Sequence, residues 1–96
     1  MAIVPKKYSE LAWNERIRVR EMYAIQQKHK CYYCGGCLRS TPPEEVTNKE
    51  INWNLFPGGI NFLRYPIHLH HSHETGLTIG AVHAYCNAVL WQYHKE

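Results

Sequence analysis

The sequence predicts an α+β fold, a small zinc-stapled ββα domain preceded by an N-terminal helix. Two half-sites, Cys31/Cys34 and His83/Cys86, each have the two-residue gap that lets a turn or a helix start grip one tetrahedral ion. Two extended stretches, Tyr65 to His71 and Leu77 to Val82, flank a His73-Glu74-Thr75-Gly76 turn, and a helical apolar spacing follows from Cys86 to His94. With 96 residues the chain is one domain, 1–96, too short to bury a large core, so a bound metal would add needed constraint.

In chain order, Ser9 is a candidate cap for a first helix over 9–29, with Leu11, Ile17, Met22 and Ile25 as its apolar positions. Arg16, Arg18 and Arg20 crowd the middle of this helix, where a charged face is ordinarily solvated rather than bound to phosphate. A knuckle follows at 31–37, because Gly35-Gly36 permits the backbone angles that turn amides towards thiolates. Residues 38–63, punctuated by Pro42-Pro43 and Pro57-Gly58-Gly59, read as a loop region with room for a short piece between Val46 and Phe56. The ββα unit spans 65–94, with Trp13 and Trp91 expected to pack between the first and last helices and Trp53 unassigned.

Lys and Arg outnumber Asp and Glu by eleven to eight, a formal charge of +3 that suits a nucleic-acid partner without requiring one. The start, Met1 to Lys7, has no apolar core of signal-peptide length, and no run approaches a membrane span. An intracellular, reducing compartment and no membrane partner are therefore expected. There, four cysteines are more plausible as thiolate ligands than as disulfides. Cys31, Cys34, His83 and Cys86 make a complete structural zinc set. Cys37, separated from Cys34 by the same two-residue gap, either replaces His83 or stays a free thiol, and the intact His83/Cys86 pair favours the free thiol.

The histidine cluster carries the chemistry. On a strand His68 and His70 share one face and His71 takes the other, unless a bulge at the strand end relaxes the alternation. Adjacent histidines at such an end allow one to hold a divalent ion while the other acts as a general base. Asn87, directly after Cys86, would be fixed by the zinc-held start of the last helix with its oxygen towards the same ion. The competing reading is a histidine-rich turn that is merely exposed or binds metal adventitiously.

The segment from His70 to Asn87, together with Cys31/Cys34, resembles the HNH or His-Me finger (ββα-metal) nucleases, and within them the recombination endonuclease VII group. The matching positions are His70, His71, His73, Thr75-Gly76, the His83/Cys86 pair and Asn87, over roughly a third of the chain. The resemblance implies His71 as general base, His70 and Asn87 as ligands of one catalytic divalent cation, and His73 as a phosphate or transition-state contact. It further implies a DNA endonuclease that leaves 5′-phosphate and 3′-hydroxyl ends. His70 stands where the family usually has an acidic ligand, which shifts preference from Mg²⁺ towards Mn²⁺, Ni²⁺ or Zn²⁺. Ile79 stands where an arginine is often found, so a phosphate contact moves to Arg64, Lys95 or elsewhere.

The expected reaction is phosphodiester hydrolysis of DNA, failing below about pH 6 if His71 keeps the ordinary imidazole pKa. Double-strand cleavage would need a homodimer or two successive nicks. A phage or mobile-element setting, hence a host-cell cytoplasm, fits the resemblance. The alternatives are a zinc-stabilised DNA-binding or adaptor module without turnover, and a metal-buffering or redox protein using Cys34 and Cys37.

Overall fold

The N-terminal segment lies along an edge of the hairpin before any helix begins. In the computed structural model, which describes residues 4–56 and 58–95, Thr78 donates its amide to the Lys6 carbonyl, and the Lys6 amide returns to the Thr78 hydroxyl at 2.9 Å. Tyr8 then donates to the Gly76 carbonyl at 2.8 Å and opens a single 3₁₀ turn, Tyr8–Glu10. Met1 to Ile3 of the leader reading, Pro57 of the punctuated loop, and Glu96 lie outside the described residues.

These bonds correct the first helix. Helix α1 runs Trp13–Gln26, not 9–29, and Ser9 does not cap it. Ala12 holds the cap position, and Glu15 takes the Ala12 amide on its carboxylate at 3.1 Å, half of a capping box. Its inward face is also rotated from the expected one. Val19, Tyr23 and Ala24 are buried, whereas Met22 and Ile25 are exposed. The helix ends in a Schellman motif, Lys28 donating to Ile25 and His29 to Ala24, with Lys28 and His29 both at positive φ.

The region 38–63 is more ordered than a loop: it holds a short helix α2, Glu44–Thr47, and 3₁₀ turns Trp53–Leu55 and Gly59–Leu63. Two strands, β1 (Ile67–His71) and β2 (Thr78–His83), form an antiparallel sheet in which Ile67 pairs with His83 and His70 with Gly80. The register shifts between His70 and His71, leaving Ile79 as the extra residue of a bulge. Helix α3, Ala84–His94, follows β2 without a break. The core is one cluster drawn from α1, the knuckle, the sheet and α3, with Leu38, Val82, Cys86 and Val89 at its centre.

Gln27 joins α1 to the sheet. Its side chain accepts from the Ala81 amide and donates to the Ala81 carbonyl, both at 2.9 Å, as a neighbouring strand would. Gly80 makes room for it, since a Cβ there would lie 2.6 Å from the Gln27 oxygen. The resulting fold is a small α+β domain with a two-stranded antiparallel sheet. No helix among the described residues is long and apolar enough to cross a membrane.

Candidate metal centre and histidine cavity

The end of α1 delivers the knuckle against the start of α3. Gly35, at φ 75°, donates to the Cys31 carbonyl, and Cys31 donates to the Gly36 carbonyl, which closes the turn around the two thiols. His83 and Cys86 sit three apart at the first turn of α3 and so share a face. The ligand atoms of Cys31, Cys34, His83 and Cys86 all lie within 4.8 Å of one another, a group that could hold a metal ion.

The donor chemistry fits zinc. His83 Nδ1 lies 3.4 Å from Cys34 Sγ and 3.6 Å from Cys86 Sγ. Zinc bonds of ordinary length at tetrahedral angles put sulfur and nitrogen roughly 3.5 Å apart. The other ring nitrogen, Nε2, donates to the Cys37 carbonyl at 2.8 Å, which leaves the Nδ1 lone pair aimed at the sulfurs. Amides of His83 and Gly36 point at Cys31 and Cys34 sulfur, each at 3.4 Å. A hydrogen bond from the Cys86 thiol holds the Cys31 thiol down to about 4, and the same bond pushes the Cys86 thiol up. Burial also raises Cys34. Three thiolates so close repel one another, and a divalent cation removes that cost. The Cys37 side chain is exposed and outside the set; its carbonyl, rather than its sulfur, serves the site.

One residue past Cys86, Asn87 faces β1. Its oxygen lies 3.2 Å from His70 Nδ1, and its amide nitrogen 3.2 Å from His68 Nδ1. With the amide donating to His68, the oxygen is held towards His70, whose side chain is almost fully buried. His68 must be neutral to accept that bond, and burial lowers its pKa to about 4.

His71 stands on the far side of the bulge. Its ring stacks on Tyr8, with centroids 4.0 Å apart at 11°, and meets His73 at 5.0 Å on its other flank. His73 in turn lies 4.5 Å from Trp91. Burial first, then the charges of His73, His70 and Arg16, lower the His71 pKa to about 4. Protonation near pH 6, expected from the ordinary imidazole value, is thus corrected: this ring stays neutral well below that pH.

His68, His70, His71, His73 and Asn87 all line one cavity of ≈ 750 Å³. The sequence brought four of these five together; His68 was noted only for sharing the His70 face, which is the signal that could have found it. Tyr8 was missed, because only the long-range pairing of the N-terminus with β2 brings it here, and Arg16, read with Arg18 and Arg20 as an ordinarily solvated helix face, is carried to the cavity by α1. Arg64 and Lys95, the named stand-ins for a phosphate contact, do not line the cavity and lie over Tyr65 and Trp91. Arg16 and Arg20 do line it, half-buried, whereas Arg18 is exposed. Trp13 does not pack on α3 as expected: it is 71% exposed at the cavity, and Trp91 meets His73 instead. Trp53 packs against Phe56 and Tyr85.

Comparison of the chain with family models, with curated proteins and with solved structures finds no match.

Proposed function

We propose that the chain is a metal-dependent DNA endonuclease of the HNH type, with His71 as general base, His70 and Asn87 as ligands of one divalent cation, and His73 as a phosphate contact. The observation that carries this reading is a neutral, partly buried imidazole lining the same cavity as a His70–Asn87 donor pair. The 3.2 Å between those donor atoms fits two neighbouring ligands of one ion, which at bonds of about 2 Å sit roughly 3 Å apart. Two neutral donors suit Mn²⁺, Ni²⁺ or Zn²⁺ better than Mg²⁺. A bound cation would supply Lewis acidity to the phosphate and the leaving 3′ oxygen.

The chain's own residues do the rest. His71 accepts the proton of the attacking water at its unprotonated ring nitrogen, and the stack with Tyr8 keeps the ring in place. His73, exposed at the cavity beside His71, can donate to a phosphate oxygen. His68 holds Asn87 by its amide, so the Asn87 oxygen does not rotate away from His70.

Plasmid nicking with added Mg²⁺, Mn²⁺ or Ni²⁺ tests the reading. Loss of a general base costs about 10²- to 10⁴-fold, so His71→Ala should fall by that much while wild type nicks in a divalent-dependent way. Binding without cleavage by wild type under all three ions would instead identify a zinc-stabilised DNA-binding module.

A further inference from the structure

We infer that the cavity takes one unpaired nucleotide, its phosphate on Arg16 and its base on the aromatic wall at Trp13, so that the substrate is single-stranded or locally unpaired nucleic acid. The inference rests on the nuclease reading for the cleavage step alone; the binding stands on separate observations. Among the described residues no glutamate lines the cavity, and the sequence has no aspartate, yet Arg16 does. The Arg16 Nε atom is buried and has no hydrogen-bond partner among the described residues, and its guanidinium lies 4.0 Å over the Tyr8 ring. Among the described residues Arg16 makes no ion pair with a carboxylate, and a phosphate at its outer guanidinium nitrogens would supply the anion those planar donors fit.

Position narrows the ligand further. Arg16 and His71 each lie 4.0 Å from the centre of the Tyr8 ring and so take its opposite faces. One phosphate does not reach both across the ring, but successive phosphates of one strand do, one at His71 and its neighbour at Arg16. The cavity mouth is aromatic and exposed, with Trp13 at 71% and Tyr65 at 54%. In a duplex the faces of the bases are covered by their neighbours, so only an unstacked base can lie on such a wall.

The test is fluorescence anisotropy with zinc-loaded His71→Gln protein, which keeps a hydrogen-bond donor for the phosphate at that position as well as Arg16 and Trp13, and has no imidazole to act as base and consume the probe. The probes are a labelled 12-nucleotide single strand as DNA and as RNA, the matching blunt DNA duplex, and that duplex carrying a single-stranded flap. Single strands and flap should bind at least tenfold more tightly than the blunt duplex. The further substitution Trp13→Ala should weaken flap binding at least fivefold and leave duplex binding nearly unchanged. Arg16→Gln should weaken single-strand binding and lower its salt dependence by about 0.7 in log–log slope, the value for one phosphate contact. The DNA and RNA arms identify which sugar the site accepts. Equal affinity for duplex and single strand, or a Trp13→Ala protein that folds and binds the flap unchanged, overturns the inference even if wild type nicks plasmid. Single-strand preference that depends on Trp13 and Arg16, in a wild type that cleaves nothing, leaves the inference standing and removes the nuclease.

Discussion

His68 makes folding stability depend on pH in a way that one substitution isolates. Its pKa is lowered to about 4 in the fold by burial, against about 6.5 for an unhindered imidazole. Between these values the unfolded chain binds a proton that the folded site refuses. The stability His68 contributes is therefore complete above pH 6.5, is lost as pH falls towards 4, and changes no further below that. At pH 5 the difference amounts to about 2 kcal/mol, from 1.36 kcal/mol per unit of pKa. In His68→Asn the carboxamide oxygen can stand in for Nδ1 and accept from Asn87, but it does not titrate. Urea denaturation of both proteins at pH 7 and pH 5, with free zinc held constant, should show wild type losing about 2 kcal/mol more than the variant. Protonation of the cysteines is common to both and cancels. A difference below about 0.5 kcal/mol would refute the claim that His68 is buried as a neutral acceptor for Asn87.

Removing the ion from the Cys31, Cys34, His83, Cys86 group should unfold the chain, because structural zinc contributes about 10–16 kcal/mol, as much as a domain's whole stability. Far-UV circular dichroism during chelation measures this, and a chelated protein with an unchanged melting curve would contradict it. Metal analysis should find one zinc per chain in Cys37→Ser, whose thiol lies outside the group, and none in Cys86→Ser. Gly80→Ala should cost about 1–3 kcal/mol, seen as a lower melting temperature, since its Cβ meets the Gln27 oxygen that binds the Ala81 amide.

What the sequence made legible was local. Two-residue gaps at Cys31/Cys34 and His83/Cys86 depend only on the geometry of a turn and of a helix's first turn, so the four residues were recognisable before any tertiary contact was known. The strands and α3 lay within two residues of their expected ends, because alternation and the Thr75-Gly76 turn act over a few residues. The start of α1 failed for the opposite reason. Ser9 has a capping side chain, but residues 6–8 are committed to β2, and Lys6 and Thr78 are far apart in sequence. Met22 and Ile25 are apolar enough for a core, yet Tyr23 takes the inward position and bonds its hydroxyl to that of Thr78 at 2.9 Å.

The same edge explains why half of the cavity could not be read. Its histidine side comes from His68, His70 and His71 of β1, from His73 just after it, and from Asn87, one step beyond Cys86, so local rules aim them. Its cationic and aromatic side depends on long-range contacts: Tyr8 reaches it because the N-terminal segment hydrogen-bonds β2 beside the Gly76 turn, and Trp13 and Arg16 reach it because α1 docks on the sheet through Tyr23 and Gln27. A substitution that weakens this pairing, such as Thr78→Val, removes the hydroxyl that accepts from Lys6 and meets Tyr23 without touching the His70–Asn87 contact. It should therefore loosen Tyr8 from His71 and weaken retention of single strands more than it lowers zinc content. The N-terminal pairing thus sets Tyr8 against His71, whereas Cys86 and the start of α3 set Asn87 against β1.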